Sequence, residues 1–441
     1  MAVRDLSKGG ENIIVGGGVT GISAGYVSGL KVYESRVIPG GICSSYYINP
    51  DLQKVEYDSP EDEQSYRFEI GGGHWIFGGD PVVIEFIRRF SSFRQYIRKS
   101  AVYFSKKDLY VPYPIQNNLY YLGKDIARKA IREMTNRPES TPSTLEEWLE
   151  INFGKTLLEL FFAPFHEMYT AGLWTSIAPQ DPYKSPVNIS AAVKGAEGRN
   201  NSEVGYNTTY LYPEKGLNSL ISGISASCDI SYGHRAVKID TDKNEVMFEN
   251  GNGCKYRNLI STAPLNFALE MAGIEIDEDP PEYTSVLVLN IGAVKGGRCP
   301  EHHWLYIPDS DSGFHRVGFY SNVDDSFLPF DSRKDNEKVS IYVETAYRNG
   351  EKPSDEEINH YTASVLNELK KWGFIDTVET VDPTWIDVAY TWSQPGSNWR
   401  NTALNELQKR NIYQIGRYGR WVFQGIADSI KDGLFAGGAM G

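Results

Sequence analysis

A histidine set among glycines is the first feature of this sequence with chemical potential. The stretch GGGHWIFGG, residues 71–79, places His74 after three glycines and directly before a tryptophan. Glycine permits positive φ and lets a large group approach the backbone, so this loop predicts either a strained turn or a surface for a planar ligand. A lone histidine is more often structural than catalytic, and the choice therefore depends on the rest of the chain.

A second glycine pattern predicts a nucleotide site near the N-terminus. Gly16, Gly18 and Gly21 fit G-x-G-x-x-G between an apolar strand and a helix of small residues, and the next strand ends at Glu34. In such a βαβ unit the pyrophosphate of a dinucleotide lies at the helix N-terminus, and the acidic residue accepts hydrogen bonds from the ribose. This context makes the fingerprint much stronger than the glycines alone would be.

A further glycine pair follows at once in PGGICSS, residues 39–45. Gly40 and Gly41, with Ser44 behind them, come shortly after the ribose-binding acid. Nicotinamide dehydrogenases do not normally need a second glycine turn here, whereas in large flavoproteins such a turn lets the FAD pyrophosphate and ribityl chain run on toward the interior. The pair therefore favours FAD over NAD.

The bulk composition narrows the class of protein. The chain has 441 residues and a formal net charge of -13, which argues against a nucleic-acid binder and favours a small-molecule partner. Its four cysteines lack the spacing of a metal site or a disulfide framework, so neither is predicted. No run approaches the roughly 18 apolar residues of a membrane span. We expect a cytoplasmic protein; a homo-oligomer is compatible with the sequence, which does not fix the oligomeric state.

The order of the patterns predicts an α/β fold with three units. A Rossmann-like FAD-binding domain is expected from three discontinuous segments, namely 1–100, 205–282 and 400–441. The pattern of residues 81–99, within the first segment, is typical of helix. The other two units are a helical substrate or lid domain at 101–204 and a second, mixed β-sheet domain at 283–399.

Six motifs occur in the order found in one known family. They are IIVGGGVTG, GGICSS, GGGHWIFGG, VPYPIQNN, HHWLYIPDSDSGFHRVGFYSN and IGRYGRW. With these motifs the chain resembles the flavin-dependent UDP-galactopyranose mutase family, in particular its eukaryotic-type branch, within the amine-oxidase and protoporphyrinogen-oxidase-like superfamily. The last four motifs are much more specific than any dinucleotide fingerprint.

The resemblance implies an activity and a cofactor. Such mutases interconvert the pyranose and furanose forms of a UDP-sugar, here UDP-galactose first, through attack of reduced flavin N5 on the anomeric carbon. We therefore expect bound FAD that is active when reduced, with NADH or NADPH as the reductant. The implied product is a source of galactofuranose for a cell-surface glycan.

The resemblance also implies roles for individual residues. His74 looks like the residue that responds to the redox state of the flavin, and Arg316 like the arginine that holds the substrate diphosphate, so these two are the catalytic candidates. The implied flavin contacts, beside the glycines already named, are Gly72, Gly73, His74, Arg417 and Asp428. The implied substrate contacts are Tyr113, Gln116, Asn117, Lys184, Tyr306, Arg316, Trp392 and Phe423.

The sequence departs from the family pattern in the expected diphosphate site. The helical insert lacks the family's second arginine, and Lys184 is its nearest cation. Phe423 and Trp392 stand where phosphate-contacting tyrosines are expected. These changes keep another nucleotide sugar, or another chemistry, open.

Two other functions compete with the mutase. One is an FAD-dependent oxidoreductase of the amine or protoporphyrinogen oxidase type, which would need an apolar tunnel rather than Arg316 and the VPYPIQNN segment. The other is a binding protein like the GDP-dissociation inhibitors, which share the fold and hold no flavin. The second glycine turn, His74 and IGRYGRW argue for a flavin.

Overall fold

The computed structural model of the protein describes residues 10–179, 187–199 and 208–441, and it confirms the predicted mixed α/β class. The strands of this part are β1 (Glu11–Val15), β2 (Lys31–Tyr33), β3 (Ser45–Ile48), β4 (Val55–Glu56), β5 (Tyr66–Glu69), β6 (Ile76–Phe77), β7 (Phe93–Ile97), β8 (Ser100–Phe104), β9 (Leu109–Pro112), β10 (Thr209–Pro213), β11 (Ile230–Ser231), β12 (Ala236–Asp240), β13 (Glu245–Phe248), β14 (Gly253–Ser261), β15 (Tyr283–Lys295), β16 (Trp304–Tyr306), β17 (Arg316–Phe319), β18 (Lys338–Arg348), β19 (Ile375–Thr391) and β20 (Ile412–Gln414). Its helices are α1 (Val19–Ser28), α2 (Pro81–Arg88), α3 (Lys124–Thr135), α4 (Leu145–Leu157), α5 (Ala163–Tyr169), α6 (Ile189–Ala196), α7 (Leu217–Ser225), α8 (Leu265–Ala272), α9 (Tyr320–Val323), α10 (Asp355–Trp372), α11 (Trp399–Gln408), α12 (Gly416–Gly419) and α13 (Ile426–Met440).

The first sheet carries the predicted nucleotide-binding unit, so we call it the nucleotide-binding sheet, and it collects strands from three distant parts of the chain. Its order is β11-β2-β1-β14-β13-β12, and β20 pairs with β14. The strands β11, β2, β1, β14 and β20 run parallel, and the β12–β13 hairpin extends the sheet antiparallel. Strand β1 is an apolar run buried on both faces, as parallel strands covered by helices are.

Helices α1 and α13 cover this sheet together, and small residues let them approach each other closely. A Cβ on Gly433 of α13 would overlap the carbonyl oxygen of Thr20 in α1. Helix α1 ends at Ser28, and Gly29 caps it with φ 68, the left-handed conformation that glycine allows at a helix C-terminus. The packing against α13 thereby fixes the position of the N-terminus of α1, which follows β1 and carries the glycine fingerprint.

The second large sheet has seven strands in the order β19-β15-β18-β17-β16-β8-β9. All its pairs are antiparallel except β16 with β8, so the sheet is mixed. Helix α10 packs on one face through Val365, Leu369 and Trp372, and the opposite face borders the nucleotide-binding unit. Strand β15, which lies between β19 and β18, is consequently buried along almost all of its length.

Two boundaries differ from those predicted by sequence. Strands β8 and β9, residues 100–112, belong to the seven-stranded sheet rather than to the helical unit expected at 101–204. Helix α2 ends at Arg88, and β7 follows and pairs antiparallel with β10. The local pattern of 81–99 suggested helix, but pairing with a strand more than a hundred residues away decides the conformation of its second half.

The helical segment forms a curved wall beside the seven-stranded sheet. Helix α4 begins with a capping box, in which Thr144 accepts from the Glu147 N–H at 3.2 Å and the Glu147 carboxylate accepts from the Thr144 N–H at 3.4 Å. After α4 a π-helical turn at Leu158–Phe162 leads directly into α5. The apolar face of this wall is rich in phenylalanine and turns toward β16 and β17. Among the described residues, no helix is long and apolar enough to cross a membrane.

The close approach of α1 and α13 makes a testable prediction about stability. Gly433→Ala is expected to lower the free energy of unfolding by about 1–3 kcal/mol, because its methyl group would overlap backbone that cannot move freely. Gly438→Ala, on the same helix but with no atom within 4 Å of the new Cβ, is the control and should change stability by less than about 1 kcal/mol. Thermal and urea unfolding measure both variants. Equal stabilities of the two would show that α1 and α13 are not in tight contact.

Candidate functional site

Two adjoining cavities lie between the nucleotide-binding sheet, the seven-stranded sheet and the helical wall. The larger has a volume of about 1150 Å³ and follows the glycine turns to His74. The smaller, of about 270 Å³, is enclosed by aromatic side chains of α4, α5, β16 and β18. The residues that border both are Gly73, Trp75, Phe77, Arg316, Tyr390 and Phe423. A ligand in one cavity can therefore touch a ligand in the other.

The three glycines of the fingerprint have three separate structural roles. Gly16 makes the turn after β1 with φ 100, and a Cβ on Gly21 would overlap the Gly16 carbonyl oxygen, so Gly21 lets α1 lie on the turn. Gly18 faces the large cavity, with no atom within 4 Å of where its Cβ would be. The buried Glu34 carboxylate accepts from the Gly17 N–H at 2.6 Å, and it borders the same cavity.

The second glycine turn lies directly against the first. The Gly40 N–H donates to the Gly17 carbonyl at 2.8 Å, and Gly40 and Gly41 have φ 98 and φ 61. Both glycines border the large cavity, whereas Ser44 closes the turn from behind by donating its hydroxyl to the Pro39 carbonyl at 2.6 Å. The two turns together form a floor of bare backbone, and Ser44 supports this floor without facing the cavity.

The histidine loop lies on two side chains of β18. A Cβ on Gly73 would overlap the Tyr342 hydroxyl, and one on Gly72 would come within 2.9 Å of Glu344 Oε1. The bare backbone of this loop is thus required by what lies beneath it, while His74 faces the large cavity above. Burial, followed by the charge of Arg417, lowers the pKa of His74 to about 4. The imidazole is neutral at neutral pH and does not act there as a cationic acid.

Arg316 lies at the junction of the two cavities and is held by a buried carboxylate. Its Nε donates to Glu344 Oε2 at 2.8 Å, and its Nη2 donates to the same oxygen. The Arg316 side chain is 22% exposed and that of Glu344 is 2% exposed. Burial is the largest single effect and would raise the pKa of Glu344, but Arg316 and the neighbouring His315 together outweigh it, and the pKa lies below its usual value. The carboxylate therefore stays charged and orients the arginine.

Arg417 borders the large cavity and forms no ion pair with any described carboxylate. Its Nη1 and Nη2 donate to the backbone carbonyls of Gln424 and Ala389 at 3.1 and 3.0 Å, and its Nε has no hydrogen-bond partner among the described residues. The guanidinium packs on the Phe423 ring, 4.6 Å from its centroid. A half-buried cation without a counter-charge favours an anionic ligand in this cavity.

The small cavity contains several of the predicted substrate contacts. Tyr113 and Tyr306 border it with their rings 4.5 Å apart, and Phe423 borders it from the side of the large cavity. Arg98, which follows β7, adds a guanidinium to the same wall and donates to the Tyr113 carbonyl at 3.3 Å. The described part of the cavity is therefore aromatic with two arginines at its edge.

Other predicted contacts lie elsewhere. Gln116 and Asn117 are buried in the turn beneath α6 and border neither cavity as described. Trp392 is buried, and its indole N–H donates to the Thr284 hydroxyl at 2.7 Å, away from both cavities. Asp428 is exposed in the first turn of α13, where it caps the helix beside the Gly425 N–H instead of facing the large cavity. Lys184 lies outside the described residues.

Sequence reasoning missed several residues that border the cavities. They are Arg36, Arg98, His166, His315, Glu344 and Tyr390. Tyr390 could have been found, because the period of two along a strand places it on the same face as Trp392, and their rings lie 5.9 Å apart. Glu344 gave no signal, since a glutamate in a strand usually faces solvent, and Glu344 is buried by the histidine loop, Arg316 and His315.

The residues of the large cavity fit FAD. The open space at Gly18 lies at the N-terminus of α1, where a pyrophosphate binds, and Glu34 at the end of β2 suits a ribose. Arg417 borders the cavity and has no ion pair with a described carboxylate, so its positive charge favours an anion there. The cavity of about 1150 Å³ also exceeds the roughly 300–1,000 Å³ of most small-ligand pockets, as a dinucleotide requires.

A methyl group at Gly18 tests this fit. Gly18→Ala is expected to fold normally but to bind FAD at least about tenfold more weakly, because the methyl group would occupy the space of the pyrophosphate. Visible absorbance per mole of protein and rebinding of FAD to the apoprotein measure the change. The control is Gly438→Ala, whose Cβ also meets nothing but lies outside both cavities. Undiminished FAD binding by Gly18→Ala would place the cofactor elsewhere.

Several solved protein structures share this architecture. The structure is similar to a reduced UDP-galactopyranose mutase, with a TM-score of 0.80 and 23% identity over 97% of this chain and 95% of the other. A candidate protoporphyrinogen oxidase from Exiguobacterium sp. 255-15 has a TM-score of 0.71 and 14% identity, with 98% of each chain covered. A putrescine oxidase has a TM-score of 0.57 and 14% identity, covering 97% of this chain and 98% of its own.

These structural similarities show a shared fold. The sequence itself matches the model of the family described as flavin-containing amine oxidoreductases over residues 29–437, which is most of its length. The matched residues include the second glycine turn, the histidine loop and Arg417, all of which border the large cavity. The chain belongs to the family of flavin-containing amine oxidoreductases.

Proposed function

We propose that this protein is a flavin-dependent mutase that interconverts the pyranose and furanose forms of a UDP-sugar, with UDP-galactose as the first candidate. The observation that carries the proposal is the position of Arg316, which borders both cavities at their junction. A nucleotide sugar in the small cavity would place its diphosphate at this guanidinium and its sugar toward the large cavity.

The chemistry of the interconversion explains why an arginine belongs at this point. The two ring forms differ in which hydroxyl closes the ring, so the bond from the anomeric carbon to the diphosphate must break and later re-form. Negative charge develops on the diphosphate as the bond breaks, and a fixed guanidinium stabilises that charge. Glu344 keeps the Arg316 side chain oriented before substrate arrives, so little reorganisation is needed.

The aromatic walls serve the same reaction by excluding water. Phe161, Phe165 and Tyr169 of the helical wall close the small cavity on one side, and Tyr113 and Tyr306 close it on another. A sugar whose anomeric bond is broken would otherwise be lost to hydrolysis. The rings of Tyr113 and Tyr306 are tilted 45° to each other, and each offers an aromatic face to a uracil base.

The large cavity contributes the cofactor and a neutral imidazole. Reduced flavin, when bound, supplies the electron-rich chemistry at the junction, and NADH or NADPH is the proposed reductant. His74 is uncharged near neutral pH and borders the cavity at the flavin end, so it can adjust to the cofactor without adding a cation. Its role in the proposal is contact with the flavin and not proton transfer to the sugar.

An amine-oxidising function fits these charges less well. Arg98, Arg316 and Arg417 border the two cavities, and a protonated amine would have to approach these guanidiniums. Glu344 is the carboxylate closest to Arg316, and it is already paired. The electrostatics therefore favour an anionic substrate over a cationic one.

The proposal predicts redox-dependent activity that requires Arg316. The dithionite-reduced protein should interconvert UDP-galactopyranose and UDP-galactofuranose, and the oxidised protein should not. Arg316→Lys is expected to lower kcat/KM by about 10- to 100-fold, because lysine keeps the charge but loses the fork that holds Glu344 and the phosphate at once. Chromatographic separation of the two nucleotide sugars measures the rates.

Arg333→Lys is the matched control. Arg333 also pairs with a glutamate, Glu63, at 2.7 Å, but it lies outside both cavities, so its variant should keep wild-type activity. A flavin-containing protein that is inactive on UDP-galactose in either redox state, and that instead consumes oxygen with an amine, would contradict the proposal.

A further inference from the structure

His315 is buried beside the Arg316–Glu344 pair without a hydrogen bond of its own. Neither ring nitrogen has a hydrogen-bond partner among the described residues, and the residue is 1% exposed. Its Nε2 lies 3.6 Å from Glu344 Oε2, the same oxygen that accepts from Arg316. The imidazole also borders the small cavity. A buried polar ring that lacks a partner at a ligand cavity suggests a function beyond packing.

The surroundings of His315 determine its charge. The titratable groups that face it are the adjacent Arg316 at the start of β17, Glu344 on β18, and Tyr169 and His166 on α5. Burial lowers the pKa of His315 against the opposing effect of Glu344, so the ring is neutral at neutral pH in the free protein. The α5 side adds aromatic faces and a second neutral imidazole rather than a carboxylate.

A count of charges shows what an entering diphosphate would meet. Arg316 and Glu344 form a buried pair whose charges cancel. Arg98 and Arg417 border the cavities from other elements, and neither is an ion-pair partner of Glu344 among the described residues. A proton on His315 would give the Arg316–Glu344–His315 cluster a net positive charge. It would also make His315 Nε2 a charged donor that competes with Arg316 for Glu344 more strongly than the neutral ring does, so that Arg316 can direct N–H groups at the phosphate.

We propose that His315 takes up a proton from solvent when the diphosphate of a nucleotide sugar binds beside Arg316, and that it then shares Glu344 with that arginine. This inference rests on the proposed function and adds the means by which the chain compensates for the arginine missing from its helical insert. His315 acts through Glu344 and is a positioning residue.

The inference predicts how the affinity for a nucleotide sugar changes with pH. Binding of the anion favours protonated His315, so affinity is greatest at low pH and is lost as pH rises through the pKa of His315 in the complex. One linked proton makes the Kd rise by up to about tenfold per pH unit. UDP-galactose is a suitable probe, because its diphosphate diester carries no group that titrates near neutral pH.

Calorimetric titration of the oxidised holoprotein with UDP-galactose tests the inference. Measurements at one pH in HEPES and in Tris, which differ in ionisation enthalpy, give the number of protons taken up per ligand. We expect uptake of up to one proton by the wild type, almost none by His315→Gln or His315→Asn, and wild-type uptake by His302→Gln. His302 is the control because it stacks on Tyr110 and lies outside both cavities. Flavin absorbance and thermal unfolding verify that each variant is folded.

The outcomes separate this inference from the proposed function. The inference is overturned if UDP-galactose binds the wild type without proton uptake, or if a folded His315 variant takes up as many protons as the wild type. Either result leaves the mutase proposal intact. Failure of UDP-galactose to bind at all overturns both. A Kd of the wild type that does not change between pH 6.5 and 8.5 would also overturn it, even if both His315 variants fail to fold.

Discussion

The buried carboxylate of Glu344 connects the parts of this molecule that must act together. It accepts from Arg316 at the junction of the cavities, it lies 3.6 Å from His315, and its Oε1 lies directly beneath Gly72 of the histidine loop. A charge with 2% exposure is tolerated only because the guanidinium compensates it. The position of the arginine and the bare backbone of the loop are both consequences of this one buried group.

The two cavities depend on elements that are far apart in sequence. The floor of the large one comes from the turns after β1 and β2, and α12 brings Arg417 from near the C-terminus to its edge. The small one is closed by α4 and α5, which reach it because the π-helical turn at Leu158–Phe162 continues one helix into the next. The seven-stranded sheet fixes the junction of the two cavities, because Arg316 on β17 and Glu344 on β18 are direct neighbours in the strand pairing.

The sequence predicted correctly those elements that are determined by residues adjacent in the chain. The α/β class and the βαβ unit followed from an apolar strand, a glycine turn and a helix in immediate succession, and the glycines have the spacing that such a turn needs. Arg316 and Tyr306 were named through family resemblance, and both border the small cavity. Residues 93–97 were expected to be helical from their local pattern. They form a strand because they pair with β10, which lies far away in sequence.

What the sequence could not show was burial by distant elements. Glu344 in β18 and His315 just before β17 look like ordinary polar residues until the histidine loop and α5 cover them. Asp428 was assigned to the flavin and instead caps α13, since a carboxylate in a first helical turn serves either purpose equally well. Trp392 was expected to contact the phosphate, but its indole N–H donates to the buried hydroxyl of Thr284. Tyr390, two residues earlier, borders the cavities instead.

The adjacency of a flavin site and a nucleotide-sugar site is the central claim. Titration of UDP into the oxidised holoprotein, followed through the visible absorption of its flavin, tests it most directly. Since the cavities share Arg316 and Tyr390, we predict a saturable shift of the flavin bands, because a bound diphosphate changes the charge next to the cofactor. UDP that binds in equilibrium dialysis without altering the flavin spectrum would contradict the account.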